Sequence, residues 1–245
     1  MKNSLVALLT LFFLSSCTKD LKFEQKKFAK KIVTSNKDST KINIDVPIAV
    51  GEPIIANSVN KAVFKTMKEI VYVGEKPFSA TNYSGLCTEF INYYTKVSTL
   101  NSSEPAWFIT IDGAILYRSE KLINIALRHN AFVGGAHGYA GKRSLLFDIE
   151  SGVIILNKNL FNNPQAFTKF AESKFRDKYK ISANAAINDN GFMFESNVFQ
   201  LPQTYFYTSK GFLLYYNVYE IASYAQGIFE VLIPYSEMKP YLKII

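Results

Sequence analysis

The residues able to do chemistry are few and far apart. His137 sits in Gly134-Gly135-Ala136-His137-Gly138, where three glycines in five residues allow a strained or closely approached backbone beside an imidazole. His129 is the other histidine of two, so zinc at His137 would need carboxylates or Cys87 to complete its shell. Neither H-E-x-x-H, H-x-x-E-H nor G-x-S-x-G occurs, and no metal, cofactor or serine nucleophile is expected. Asp148 and Glu150, two apart on a predicted strand, project from one face and could reach the 5 to 9.5 Å spacing (about) of paired glycosidase carboxylates. Asp148 also stands just before Ser151-Gly152, where aspartate commonly accepts from nearby backbone N–H groups, and turn-making is the simpler reading. Glu220, between Tyr219 and Tyr224 and ahead of Gly227, has two roles open to it. It is either a buried acceptor that fixes a turn or, with the two tyrosines, the lining of a groove for a sugar or a protein loop. Together with Tyr139 these give the candidate ligand-binding set His137, Tyr139, Tyr219, Glu220 and Tyr224. Cys87, in the apolar stretch Tyr83–Ile91, reads as a small buried hydrophobe.

A different chemistry is written at the start of the chain. Lys2, the apolar run Leu5–Leu14 and the small residues Ser15 and Ser16 precede Cys17, in the order of an export signal. The run is too short to span a bilayer, which needs about 20 residues. Leu14-Ser15-Ser16-Cys17 resembles the lipobox, which implies cleavage before Cys17, a diacylglyceryl thioether on its sulfur and acylation of the new amino group. Three chains would anchor the protein firmly, since each buried methylene contributes roughly 0.8 kcal/mol. Thr18-Lys19 carries no acidic residue of the inner-membrane retention kind, so the expected address is the outer membrane facing the periplasm. With Cys17 lipidated and Cys87 alone, no internal disulfide can form.

Charge and composition narrow the rest. The net charge of +8 is concentrated near the anchor: Thr18–Ile42 holds eight lysines against Asp20, Glu24 and Asp38, and Lys2 adds one, leaving +2 from Asn43 onward. That distribution suits anionic headgroups beside a membrane and not nucleic acid, for which no motif is present. Hydrophobic content of 48% with 20% charged residues excludes general disorder. Aromatic content of 15% fits half-buried strands or a saccharide-stacking surface.

The elements that must position these residues follow from periodicity. The basic segment 17–40 is a tether or a first strand beginning near Lys26. Alternation predicts a strand over 41–48, and Ile55, Val59, Ala62, Val63, Met67 and Ile70 predict an amphipathic helix over 54–72. A second helix is expected over 83–97. Short aromatic and β-branched runs predict strands at 107–111, 114–117 and 122–127, with Asp112-Gly113 as a hairpin turn. Further strands are expected at 145–149 and 153–156, a helix at 164–181, strands at 204–208, 212–218 and 228–233, and a short helix at 235–242. Elements in blocks instead of alternation give an α+β class with antiparallel sheets and packed helices in two subdomains. The expected divisions are 1–16 (signal), 17–40, 41–133 and 134–245.

Three stretches together resemble a known family. They are Gly134-Gly135-Ala136-His137; Asp148 to Phe161, with Gly152, Leu156 and Leu160 at fixed offsets; and Tyr205 to Phe212 leading through Tyr219–Gly227 to Val231–Met238. They are similar to the envelope domain shared by a lysozyme-sensing anti-sigma factor and the N-terminal part of a peptidoglycan deacetylase, over about residues 40–242. The resemblance implies an α+β fold in two subdomains and an extracytoplasmic ligand, a lysozyme-like protein or peptidoglycan. Neither a deacetylase domain nor a sigma-binding segment is expected in this chain, a departure from both proteins. The expected function is therefore a lipid-anchored, non-catalytic envelope binding protein. The alternative is a cell-wall glycan-modifying enzyme using His137 and a nearby carboxylate.

Overall fold

The computed structural model describes residues 21–34, 38–101 and 103–244. The lipobox, Cys17 and the division at 1–16 lie outside the described residues. A five-stranded sheet runs in the order β1 (Lys22–Val33), β2 (Ser39–Val50), β3 (Phe108–Arg118), β4 (Leu122–Phe132), β5 (Tyr139–Asp148). A three-stranded sheet follows as β6 (Thr204–Thr208), β7 (Gly211–Tyr216), β8 (Phe229–Ile233). Four helices complete the fold: α1 (Pro53–Val71), α2 (Tyr83–Leu100), α3 (Pro164–Tyr179) and the single turn α4 (Tyr235–Met238). The class is α+β, and antiparallel pairing dominates both sheets. No helix among the described residues is long and apolar enough to cross a membrane.

Within the basic segment, Lys22–Val33 is a strand. β1 pairs antiparallel with all of β2, from Lys22 opposite Val50 to Val33 opposite Ser39. Its lysines suit an edge, because charge there discourages pairing with another chain's unpaired N–H and C=O groups. β2 alternates as its sequence requires: Ile42, Ile44 and Val46 are buried toward the helices. On α1, Val59, Val63, Met67 and Val71 recur at four-residue spacing and are fully buried against that face. Each such side chain contributes roughly 1.5–3 kcal/mol. Local chemistry fixes the helix starts. Glu52 caps α1 through Ile55 N at 2.8 Å with Pro53 behind it, Asn82 caps α2 through Gly85 N, and Asn163 caps α3 through Ala166 N.

Three expectations are corrected. Asp112-Gly113 is not a hairpin turn, and 107–111 and 114–117 are one strand, β3, bulged between Ile115 and Tyr117. Gly113 is there because the backbone comes too close for anything larger: a Cβ would lie 2.8 Å from Pro47 Cδ. Pro47 cannot donate to a ladder, so β2 stops pairing with β3 after Asp45 opposite Asp112, and the Gln25 amide donates instead to the Gly113 carbonyl at 2.9 Å. Second, β2 and β3 are parallel, not antiparallel, because α1 and α2 form the crossover between them. Third, 153–156 contributes one bridge, Ile154 to Phe147, and no strand. Position 133 lies in the turn between β4 and β5, which pair over ten positions, and the first sheet continues to Asp148.

Two cores result, and β4 serves both. Ile123, Ile125 and Leu127 belong to the core under α1 and α2, whereas Leu122, with Leu146 of β5, belongs to the second core. Most of the buried aromatic residues lie in that second core. Phe161 stacks on Phe167 at 3.9 Å, and Phe175 of α3 is ringed by Phe192, Phe194, Phe199 and Tyr216. Two of its buried tyrosines keep their polar ends satisfied: Tyr216 donates to Gln200 O at 2.7 Å and Tyr207 to Ile244 O at 2.9 Å.

Candidate functional site

The site begins where two asparagines join the sheets. Asn124 of β4 is fully buried; its Nδ2 donates to Ser144 Oγ and Leu145 O, and its Oδ1 accepts from Tyr207 N at 2.9 Å. Asn217, just past β7, accepts from Lys142 N at 2.7 Å and donates to Lys142 O at 3.2 Å. Its amide thus pairs with the outer edge of β5 as a strand would. The loop after β7 is thereby pinned beside the turn between β4 and β5.

Glu220 then sets the shape of that loop. Its Oε1 accepts from Gln203 N at 2.7 Å and its Oε2 from Asn217 N at 2.9 Å, while Glu220 N closes the turn on Asn217 O at 3.1 Å. Burial raises the Glu220 carboxyl above its ordinary value, opposed by the N–H groups of Gln203 and Asn217 and by the Arg143 charge. Glu220 is therefore the acceptor that fixes the turn. The turn places Tyr219 at φ 67, in the left-handed region where glycine is at home and other residues are strained by the order of 1–3 kcal/mol. Its ring is nonetheless 54% exposed.

Opposite, Gly134 and Gly135 at φ 90 and 84 turn the chain so that His137 faces this loop. His137 stacks on Tyr224 at 4.3 Å and 21°, lies 5.9 Å from the Tyr219 ring, and the two tyrosine rings are 5.5 Å apart. Tyr219 Oη is 2.7 Å from His137 Nε2, and His137 Nδ1 is 2.9 Å from Gly138 O. A carbonyl only accepts, so the network assigns the proton to Nδ1 and makes Tyr219 the donor to Nε2. A capping box between Ser223 and Gln226 holds the short turn that begins at Tyr224. Three of the five expected residues, His137, Tyr219 and Tyr224, thus form one exposed aromatic platform.

The other two stand apart from it. Tyr139 stacks on His129 at 5.6 Å, and burial raises its hydroxyl, with Arg143 lowering and Glu220 raising it in turn. Glu220 lies beneath the loop, bonded to backbone. Asp148 accepts from Ser151 N at 2.8 Å and Ser151 Oγ at 2.7 Å, which holds its carboxyl low, and so it makes the turn. Cys87 is buried in the first core, where burial pushes its thiol up to about 11, against smaller lowering from Lys30 and the backbone. Among the described residues no three His, Cys, Asp or Glu side chains converge as a metal site would require. Aromatic residues of the C-terminal strands do not make the surface: Tyr205, Phe206, Tyr207, Phe212, Tyr215 and Tyr216 are buried, and the exposed Tyr219 stands on a loop.

Sequence reasoning missed a cleft beside the platform, rimmed by charged side chains. It has a volume of about 460 Å³ and lies where β3, β4 and β5 meet β7, lined by Asp112, Arg128, Asn130, Lys142, Tyr215 and Val218 among others. Lys142 Nζ lies over the Tyr215 ring at 4.5 Å. The readable signal was the alternation along β4, where Arg128 and Asn130 are exposed between the buried Leu127 and His129.

The comparisons with known proteins agree with this architecture. A DUF3298 family protein from Bacteroides fragilis has the same fold, with a TM-score of 0.73 at 20% identity over 92% of this chain and 94% of that one. One from Pseudomonas aeruginosa gives 0.64 at 19% identity over 91% and 95%. No curated protein matches the chain. Residues 158–236, which hold α3, the three-stranded sheet and two of the three platform residues, match the family described as "Protein of unknown function (DUF3298)".

Proposed function

We propose that this chain is a lipid-anchored, non-catalytic binding module of the cell envelope that recognises a lysozyme-like protein or peptidoglycan glycan through His137, Tyr219 and Tyr224. The observation that carries the reading is Tyr219: an exposed ring held at a positive φ, by a turn with two carboxylate bonds, against a histidine. Strain retained at an exposed aromatic points to use of the side chain. Stacked rings offer rigid contact area with little entropy to lose, suited to the apolar face of a sugar or to a protein loop. The likeness of the glycine-rich turn and of residues 205–238 to the lysozyme-sensing and deacetylase-linked domains supports the ligand class. The export-signal pattern ending at Cys17 supports an anchored location, at the outer membrane facing the periplasm.

The test uses the full chain in detergent micelles, added to a lysozyme assay and separately incubated with purified peptidoglycan fragments. Inhibition of lysozyme or retention of fragments is expected, reduced at least about tenfold by Tyr219→Ala and by His137→Ala with unchanged thermal unfolding, as for truncation of a contact hot spot. Undiminished binding by both variants sinks the platform, and release of new product from the glycan would make the protein an enzyme. Metabolic labelling with a fatty-acid probe reads the anchor: label on the parent chain and none on Cys17→Ser is expected.

A further inference from the structure

A second groove lies far in sequence from the platform and has no part in it. It has a volume of about 640 Å³ and runs along α1 from Lys61 to Tyr72, walled on its other side by the segment Pro77–Thr81 ahead of α2. At 1.5 Å per residue that is a trough about 16 Å long. Its surface is made by Phe64, Tyr72, Pro77 and Ala80 together with the stems of three lysines. Lysine stems cover apolar surface while their ammoniums stay in water.

The charge around it is predominantly positive, three lysines against one glutamate. Lys61, Lys65 and Lys68 stand at spacings of four and three, on one side of the helix, with Glu69 as the acid in the lining. Among the described residues none of the three ammoniums takes part in an ion pair. Lys68 does lie near enough to Glu89 to help lower its carboxyl, behind the hydroxyl of Ser79, which is the main cause. Tyr72, the residue that ends α1, leaves its ring 42% exposed. An apolar trough of this length would ordinarily be covered, since contiguous exposed apolar surface is costly. Its volume is in the range of small-molecule sites, and the lysine rim selects for negative charge.

We propose that this groove binds a single-chain anionic amphiphile, its hydrocarbon tail lying along Phe64 and Tyr72 and its anionic head between Lys61, Lys65 and Lys68. Charge and shape act together: the trough takes the tail and the rim takes the head, so neither an uncharged chain nor a headgroup alone should be held.

The experiment photolabels the full chain, in uncharged detergent, with a diazirine-bearing palmitate and with its methyl ester, and maps the adducts by mass spectrometry. Palmitate adducts are expected within residues 61–81, competed by unlabelled palmitate, and labelling by the ester should be about tenfold weaker, the scale expected when the charge partner is lost. A triple variant, Lys61→Gln with Lys65→Gln and Lys68→Gln, should bring palmitate down to the ester's level while leaving the unfolding temperature unchanged. Phe64→Asp should abolish both; because it could unfold the helix, its circular dichroism is read alongside and the lysine variant decides if folding is lost. Equal labelling by acid and ester, adducts spread over the surface, or a cross-link from the groove to the chain's own residues 5–14 would overturn the proposal. So would binding seen only to phosphatidylglycerol vesicles and not to the free amphiphile.

Discussion

His129 is buried at 6% exposure with its Nδ1 lacking a hydrogen-bond partner. Burial first, and the charge of Arg143 second, push its imidazole down to about 4, against a weaker pull from the Leu127 carbonyl. In the unfolded chain an imidazole titrates near 6.5 (about). Between those values the unfolded chain binds a proton that the folded one refuses, so stability falls as pH drops from about 6.5 to about 4. At about 1.36 kcal/mol per pH unit the loss reaches roughly 3 kcal/mol. Glu220, whose carboxyl is raised, works in the opposite sense: the stability tied to it is greatest at low pH and falls as pH rises past its unfolded value. His129→Phe keeps a ring against Tyr139 and removes the imidazole, so urea midpoints of the variant should lose this part of the decline between pH 7.5 and 5. Parallel curves for parent and variant would refute the assignment.

At the scale of elements, side-chain amides do work that a longer strand would otherwise do. β6 is an edge of the small sheet, and the Tyr207 N–H there is satisfied by Asn124 from the large one. Asn124→Ala leaves that donor, Ser144 and the Leu145 carbonyl short of a partner inside the protein. A loss of about 2–4 kcal/mol is expected from denaturant unfolding, given 1–3 kcal/mol (about) for each buried group left unsatisfied. A change under about 0.5 kcal/mol would mean that the amide is dispensable. None of this was readable beforehand. Asn124 interrupts an apolar run, and nothing local says that its partner is 83 residues away. The helices were legible because their determinants are local: four-residue apolar spacing in α1, and an asparagine at the start of α2 and of α3. Asp112-Gly113 misled for the complementary reason, since a turn-forming pair was spent on passage close to Pro47.

For the molecule as a whole, the site was half legible. The glycine-rich turn and the tyrosine-glutamate loop could be singled out by composition, but their contact depends on Asn217 pairing with Lys142 across 75 residues. The functional split within the set, rings outward and Glu220 inward, emerges only once the loop is closed. β4 gives one face to each core, so neither half can shed the other without exposing leucine and isoleucine to water. One unfolding transition is therefore expected, with tryptophan fluorescence from Trp107 in the first core and near-ultraviolet dichroism from the tyrosines of the second coinciding. Separated midpoints would show two independent units.

The parallel seam between β2 and β3 also imposes an order on biosynthesis. A ribosome releases β1 and β2 well before Phe108, with both helices in between, so the growing polypeptide carries a two-stranded ribbon whose oily side has no third neighbour. Lysines spaced along the outermost strand keep such ribbons from annealing to one another while they wait.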